Sequence, residues 1–191
     1  HPPTVHHPDR ISRDYQPTNF AWDRDCDPRQ CGMVFIGAEQ ADQSRFWNSD
    51  AYCKILFNLE PPAIVPSFST IERFIDRADI VLASTAASKF SIQEKVLPFI
   101  HGSTWIQPDQ IAVHPKAKLV SIIASAKNQT VGHALRHHVI REHGNQMDVY
   151  GHGYNAVQRK ETALNSHMYT IVIENSVDDY YFTEKVIDAF L

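Results

Sequence analysis

Three short polar clusters in the second half of the chain carry side chains suited to binding a ligand. Residues 125–128 (SAKN), 151–153 (GHG) and 174–176 (ENS) each follow an apolar segment of four or five residues. Apolar segments of this length, separated by helices, are typical of buried strands in a parallel sheet. Because ligands of open α/β sheets bind at the carboxyl ends of the strands, the sequence predicts a binding site where the three clusters meet.

Positive charge is predicted at the same edge of the sheet. Lys185 falls in the first turn of a helix predicted to begin near Thr183, and Arg136 lies two turns into a helix predicted to begin near Thr130. Helix N-termini present free N–H groups and the positive end of the helix dipole, which favour anions. These groups suit a diphosphate, without a glycine-rich phosphate loop and without a required metal.

The apolar pattern predicts two units that each contain a parallel sheet. The first has predicted strands at 33–36, 55–59 and 80–83 and a helical segment at 70–77. The second has predicted strands at 119–123, 147–150 and 169–173 and helices at 131–143, 157–164 and 183–191. Continuous apolar strands predict sheets that are covered on both faces. We assign residues 1–32 to an extended lead-in, 33–110 to the first unit and 118–191 to the second.

Composition limits the class of protein. The 191 residues carry a formal net charge of −4 with acids and bases interspersed, which argues against a nucleic-acid face and a basic membrane-binding patch. No apolar run is long enough to predict a transmembrane helix. Three cysteines (Cys26, Cys31 and Cys53) do not suggest a disulfide framework, so a reducing compartment is expected.

One segment resembles a known signature. Residues 173–191, IENSVDDYYFTEKVIDAFL, resemble the donor-binding motif of the α1,3/4-fucosyltransferases, which has an E-N-S/T cluster, a short gap and Y-x-T-E-K before an amphipathic helix. Residues 132–136 (GHALR) and 148–151 (DVYG) also fit that family. In the first unit, residues 59–62 (LEPP) resemble its acceptor-side motif. The resemblance covers about residues 33–191 and is stronger in the second half.

The resemblance implies an enzyme with two Rossmann-like domains facing across a cleft, the GT-B arrangement. Such an enzyme transfers fucose from GDP-fucose to a glycan hydroxyl with inversion, and requires no metal or other cofactor. Carried over, Glu60 is the general base and Glu184 stabilises positive charge at the fucose. Carried over for donor binding, Arg136 and Lys185 neutralise the diphosphate, and Asn175 and Tyr181 contact the donor.

The resemblance also implies a chain that is incomplete at its carboxyl end, because the family continues with a further strand and helix. An unfinished second sheet is expected to expose an apolar edge near 169–191 and to favour homodimers. The expected location is the bacterial cytoplasm, or the Golgi lumen with membrane association if the source is eukaryotic.

Other interpretations stay open. The chain could be a non-catalytic module that binds a nucleotide sugar or a glycan, or a glycosyltransferase that uses another GDP-sugar. Zinc binding is disfavoured both for Cys26 with Cys31 and for the helical histidines, which are His133, His137, His138 and His143. A metal site at Asp178 and Asp179 is disfavoured because solvated acids are common in loops.

Overall fold

The computed structural model describes residues 27–58, 60–61, 63–64, 67–100 and 104–191. Most of the predicted lead-in lies outside these residues, as do Cys26 and two members of the LEPP motif, Leu59 and Pro62. The described chain is a mixed α/β protein with two separate parallel sheets. This confirms the predicted α/β class with parallel sheets.

The first sheet has four parallel strands in the order β1-β2-β3-β4. The strands are β1 (Met33–Gly37), β2 (Cys53–Phe57), β3 (Ile80–Ala83) and β4 (Val96–Pro98). Helix α1 (Ser67–Phe74) connects β2 to β3, and two 3₁₀ helices (Ala38–Gln43 and Arg45–Asn48) connect β1 to β2. Leu56, Val81 and Ile71 are almost fully buried where strands and helix pack together. β4 was not predicted, because it has only three residues and ends in proline.

Strand β1 corrects the expectation that both sheet faces are covered. Val34 and Ile36 are buried in the main hydrophobic core, whereas Met33 and Phe35 are exposed. Alternate residues of a strand point to opposite faces of the sheet. At this edge strand, therefore, only one face is packed against the helices.

The second sheet has three parallel strands in the order β6-β5-β7. The strands are β5 (Lys118–Ile123), β6 (Asp148–Tyr150) and β7 (His167–Ile171). The helices are α2 (Val131–His143), α3 (Glu161–Leu164) and α4 (Glu184–Phe190). Helix α2 has the predicted bounds. The Thr130 hydroxyl caps its start by accepting from the backbone N–H of His133, and Gly144 follows its last residue.

Two predicted elements of this half are displaced. The helix expected at 157–164 is a single turn, and the strand expected at 169–173 begins two residues earlier and ends at Ile171. Register explains the strand: Lys118 pairs with His167, and Ile122 pairs with Ile171. Beyond Ile171 the chain leaves the sheet.

Strand β7 forms an edge in the described part of the chain, where β5 is its partner strand. Met168 and Tyr169 are exposed on β7, and Phe190 and Leu191 are exposed at the end of α4. These apolar side chains lie where the sequence predicted an exposed edge. Homodimerisation through this edge remains a prediction. None of the described helices combines the length and apolar character needed to cross a membrane.

Gly132 sets how closely α2 approaches the chain after β7. Its N–H donates to the carbonyl of Asn175 at 3.2 Å, and a Cβ added at Gly132 would lie 1.8 Å from the carbonyl oxygen of Glu174. Backbone atoms on both sides cannot move apart without disturbing the sheet or the helix. The position therefore requires glycine.

We predict that Gly132→Ala lowers the free energy of unfolding by roughly 2–3 kcal/mol, because the new methyl group forces backbone apart. Gly144→Ala is the matched control: an added Cβ there meets only side-chain carbons, the nearest at 3.5 Å, and the backbone is already helical. Its expected effect is below about 1 kcal/mol. Urea unfolding of both variants measures the difference, and equal midpoints would contradict the close approach.

Candidate functional site

A cavity of about 230 Å³ lies at the carboxyl ends of β5 and β7, against the first turns of α4. Its charged lining side chains are Arg136, Lys160, Lys185, Glu184 and Asp188. The loop after β6 contributes Gly151 and His152. The predicted edge of the sheet therefore has a cavity, and three of the predicted site residues (Arg136, Glu184 and Lys185) line it. Asn175, Tyr181 and Glu60 are not among its lining residues.

Lys185 lies between two carboxylates at the start of α4. Its ammonium donates to the Thr183 hydroxyl at 2.8 Å and lies 3.4 Å from Glu184 Oε1 and 3.6 Å from Glu174 Oε2. The side chain is mostly buried but reaches the cavity. The Lys185 ammonium is therefore already paired with Glu174 and Glu184, and a bound anion would have to displace these carboxylates.

The N–H groups at the helix N-termini were expected to be free, but several of them are hydrogen-bonded within the protein. At α2, the hydroxyl of Thr130 accepts from His133 N, and Gly132 N donates to Asn175 O. At α4, the Thr183 hydroxyl accepts from Lys185 N, and the Glu174 carboxylate accepts from Thr183 N at 2.8 Å. The protein itself satisfies these N–H groups. The predicted contribution of these particular groups to an anion site is therefore wrong.

Arg136 is buried, with 5% of its surface exposed. Its guanidinium donates to the Ile173 carbonyl through Nε and Nη2, and to Asn175 Oδ1 at 2.7 Å. Burial lowers the pKa of Arg136, and the nearby charge of Glu174 acts in the opposite direction. The side chain fixes the turn that follows β7. Arg136 therefore also positions the Asn175 side chain, so two of the predicted donor-binding residues contact each other directly.

Glu184 shares its carboxylate between two lysines. Oε1 lies 3.4 Å from the Lys185 ammonium and 3.5 Å from that of Lys160. Burial raises the pKa of Glu184, but the charges of Lys185 and Lys160 outweigh burial, so the net pKa lies below the ordinary value. The group is ionised at neutral pH and presents negative charge at the cavity.

Tyr181 carries a buried hydroxyl without a hydrogen bond to the described residues. Burial raises its pKa, and the carboxylates of Glu174, Glu60 and Glu184 add to the rise. The Asn175 side chain acts in the opposite direction without meeting hydrogen-bond geometry. A buried polar group without a partner among the described residues is uncommon in native proteins.

Glu60 lies just beyond the carboxyl end of β2, on the first sheet. The Asn58 side chain holds its backbone: Glu60 N donates to Asn58 Oδ1 at 3.2 Å, and Asn58 Nδ2 donates to Glu60 O. The Glu60 side chain is half-buried. Because its charge raises the pKa of Tyr181, the predicted base is within electrostatic range of the second half of the chain.

The loop between β7 and α4 crosses to the first sheet. Tyr180 N donates to the carbonyl of Ser84 at 2.9 Å, directly after β3. The Asp178 carboxylate accepts from Thr85 Oγ1 at 2.6 Å and from Lys89 Nζ at 3.2 Å, and Asp179 lies 3.1 Å from Lys89 Nζ. The two aspartates therefore bind groups of the first sheet. These contacts bring the carboxyl ends of both sheets to one loop.

Lys160 and Asp188 were missed by the sequence reasoning. Lys160 Nζ lies 2.5 Å from Asp188 Oδ2, and Asp188 also accepts from Thr104 Oγ1 at 2.7 Å and from Trp105 N at 2.9 Å. One signal was available: Glu184 and Asp188 are four residues apart, which places them on the same face of a helix.

Three of the helical histidines considered for zinc are engaged in other contacts. His133 Nδ1 bonds to the Thr130 hydroxyl, His137 bonds to Tyr154 and the Lys127 carbonyl, and His138 bonds to Arg141. Within the described ranges, no group of three or more His, Cys, Asp or Glu side chains is arranged to hold a metal ion.

No protein-family model matches the chain, and a search of curated proteins found no match.

We predict that Tyr181→Phe raises the free energy of unfolding by roughly 1 kcal/mol, because it removes a buried hydroxyl that lacks a partner. Tyr154→Phe is the control, since the Tyr154 hydroxyl is 2.7 Å from His137 Nδ1, and its loss should destabilise by a similar amount. Chemical unfolding of both variants is the measurement. A destabilised Tyr181→Phe would show that the hydroxyl is hydrogen-bonded within the protein, with Asn175 as the nearest candidate.

Proposed function

We propose that this chain belongs to a glycosyltransferase that transfers fucose from GDP-fucose to a hydroxyl of a glycan, with inversion. In this proposal residues 33–110 and 118–191 are the two Rossmann-like units of a GT-B arrangement. The observation that carries the proposal is the cavity lined by Arg136, Lys185 and Glu184 at the carboxyl ends of β5 and β7. The resemblance of residues 173–191 supplies the identity of the donor.

The charges of the cavity suit a phosphate-bearing ligand. Its lining includes three cationic side chains (Arg136, Lys160, Lys185) and two carboxylates (Glu184, Asp188), which leaves a net charge of +1. In a partly buried site such charges act through a lower dielectric than water. They supply the positive charge for a departing diphosphate, so the proposed reaction needs no metal ion.

The proposed transfer is a single displacement. Glu60 accepts the proton of the acceptor hydroxyl as its oxygen bonds to the anomeric carbon of fucose. The bond between that carbon and the phosphate oxygen breaks, and GDP leaves with the electron pair. Lys185 turns from Glu174 and Glu184 toward the phosphate, while the released Glu184 carboxylate faces the developing positive charge on the sugar.

In this proposal Arg136 positions the cavity wall as well as neutralising the diphosphate. It holds Ile173 and Asn175 through three hydrogen bonds, so it fixes the wall of the cavity on which the donor lies. The charges of both Glu60 and Glu184 act on Tyr181, and its hydroxyl, without a partner among the described residues, suits a sugar or phosphate oxygen of the donor.

A second candidate is a non-catalytic module that binds a nucleotide sugar. The observation that favours it is the pairing of Lys185 with Glu174 and Glu184, and of Lys160 with Glu184 and Asp188. Cations already paired with carboxylates stabilise a departing diphosphate less, which favours binding without turnover. Turnover separates the two candidates.

The test is transfer of fucose from GDP-fucose to a panel of glycans, with GDP affinity measured by calorimetry. Glu60→Gln should lower kcat by about 10²–10⁴-fold while GDP affinity stays unchanged, because it removes the base and leaves the cavity intact. Lys185→Met should weaken GDP binding and lower kcat by about 10²–10³-fold. Glu39→Gln, an exposed acid that follows β1, is the control.

Three results would count against the proposal. GDP binding without transfer favours the binding module, and transfer from GDP-mannose but not GDP-fucose assigns another donor. Transfer that is unchanged in Glu60→Gln rejects the assigned base.

A further inference from the structure

Lys160 reaches the cavity from the loop that follows β6. It directly precedes α3, and its side chain retains 23% exposure. Its ammonium lies 2.5 Å from Asp188 Oδ2, 3.5 Å from Glu184 Oε1 and 5.7 Å from the centre of the Trp105 ring. It therefore lies between a cavity wall residue, Glu184, and the segment that joins the two sheets.

The two carboxylates hold Lys160 unequally. Asp188 is buried and also accepts from Thr104 Oγ1 and Trp105 N, so its position is fixed by three donors. Glu184 contacts Lys160 at a longer distance and is shared with Lys185. Two acceptors for three ammonium N–H groups are present among the described residues. The longer of these contacts, to Glu184 at 3.5 Å, is the one that a ligand in the cavity can replace.

We propose that Lys160 is a phosphate-binding residue of this cavity, acting with Lys185, whose ammonium contacts the same oxygen of Glu184. The inference rests on the proposed function, since it assumes a donor that carries a diphosphate. On binding, the Lys160 ammonium keeps its contact with Asp188 and exchanges the longer contact with Glu184 for a phosphate oxygen. Both lysines then leave Glu184 together, which frees this carboxylate to face the sugar.

A purely structural role for Lys160 predicts something different. As the counter-charge of a buried carboxylate, Lys160 would stabilise the fold, and its loss would weaken all ligands alike. A phosphate-binding role weakens only ligands that carry phosphate. Comparison of GDP with guanosine separates the two roles, because both ligands share the base and ribose and differ in charge.

The experiment is calorimetric titration of the full chain with GDP and with guanosine. Lys160→Met should weaken GDP binding at least tenfold and leave guanosine binding unchanged, whereas Lys160→Arg should restore most of the GDP affinity. Because Lys160→Met leaves Asp188 buried without a cation, the double variant Lys160→Met/Asp188→Asn is measured beside it. The asparagine keeps an acceptor for Thr104 and Trp105 while it removes the charge.

The matched control is Lys118→Met, which breaks a lysine–aspartate pair with Asp148 at the opposite, amino-terminal edge of the second sheet. It should leave both affinities unchanged. Fluorescence gives a second readout: GDP should change Trp105 emission in the wild type, and the change should disappear in Trp105→Phe and in Lys160→Met.

Each contrary outcome identifies what fails. Equal GDP affinity in the wild type and in both Lys160→Met variants overturns this inference and leaves the proposed function standing. Equal weakening of GDP and guanosine also overturns it, in favour of a structural role. A wild-type chain that binds no GDP overturns the proposed function and the inference with it.

Discussion

The turn after strand β7 depends on the buried guanidinium of Arg136. Two of its nitrogens donate to the Ile173 carbonyl, and one also donates to Asn175 Oδ1. Strand β7 ends at Ile171, where its pairing with β5 stops, and the Ile173 carbonyl held by Arg136 lies in the turn that follows. The close approach of α2 at Gly132 supports the same turn from the other side. Removal of either contact would release the wall of the cavity.

From this turn the chain reaches both sheets. Glu174 accepts from the N–H and hydroxyl of Thr183 and so fixes the start of α4, which carries Glu184 and Lys185. Farther along, Asp178 accepts from Thr85 and Lys89 beside β3. Since parallel strands end at one edge of their sheet, the two edges meet at this loop. That position places the charge of Glu60 within range of Tyr181 although the two belong to different sheets.

Secondary-structure elements were predicted well where neighbouring residues mark both the start and the end of the element. Helix α2 has the expected bounds because the cap at Thr130 and the stop at Gly144 are encoded in adjacent residues. The end of β7 could not be predicted, because it depends on pairing with β5, a strand distant in sequence. The carboxyl-edge location of Arg136 and Lys185 followed from the predicted strand ends and helix starts, whereas Glu184 was implied by the resemblance.

The rest of the site required tertiary contacts. Asp188 accepts from Thr104, 84 positions away, so its contact with the segment between the two sheets has no local signature in the sequence. The helix N-termini were expected to be free for an anion, but Glu174 and Asn175 occupy N–H groups there after the chain folds back. Side chains that satisfy a helix end from another part of the chain cannot be read from helix periodicity.

We propose that the ligand site lies at the carboxyl edge of the second sheet. Amide hydrogen exchange with and without saturating GDP tests this most directly, because it locates binding along the chain. With GDP bound, we expect slower exchange at residues 124–126, 151–160 and 172–175 and at the first turn of α4. We expect little change in β1 and β2. Slower exchange confined to the first sheet would contradict it, as would unchanged exchange at the second-sheet edge with GDP bound.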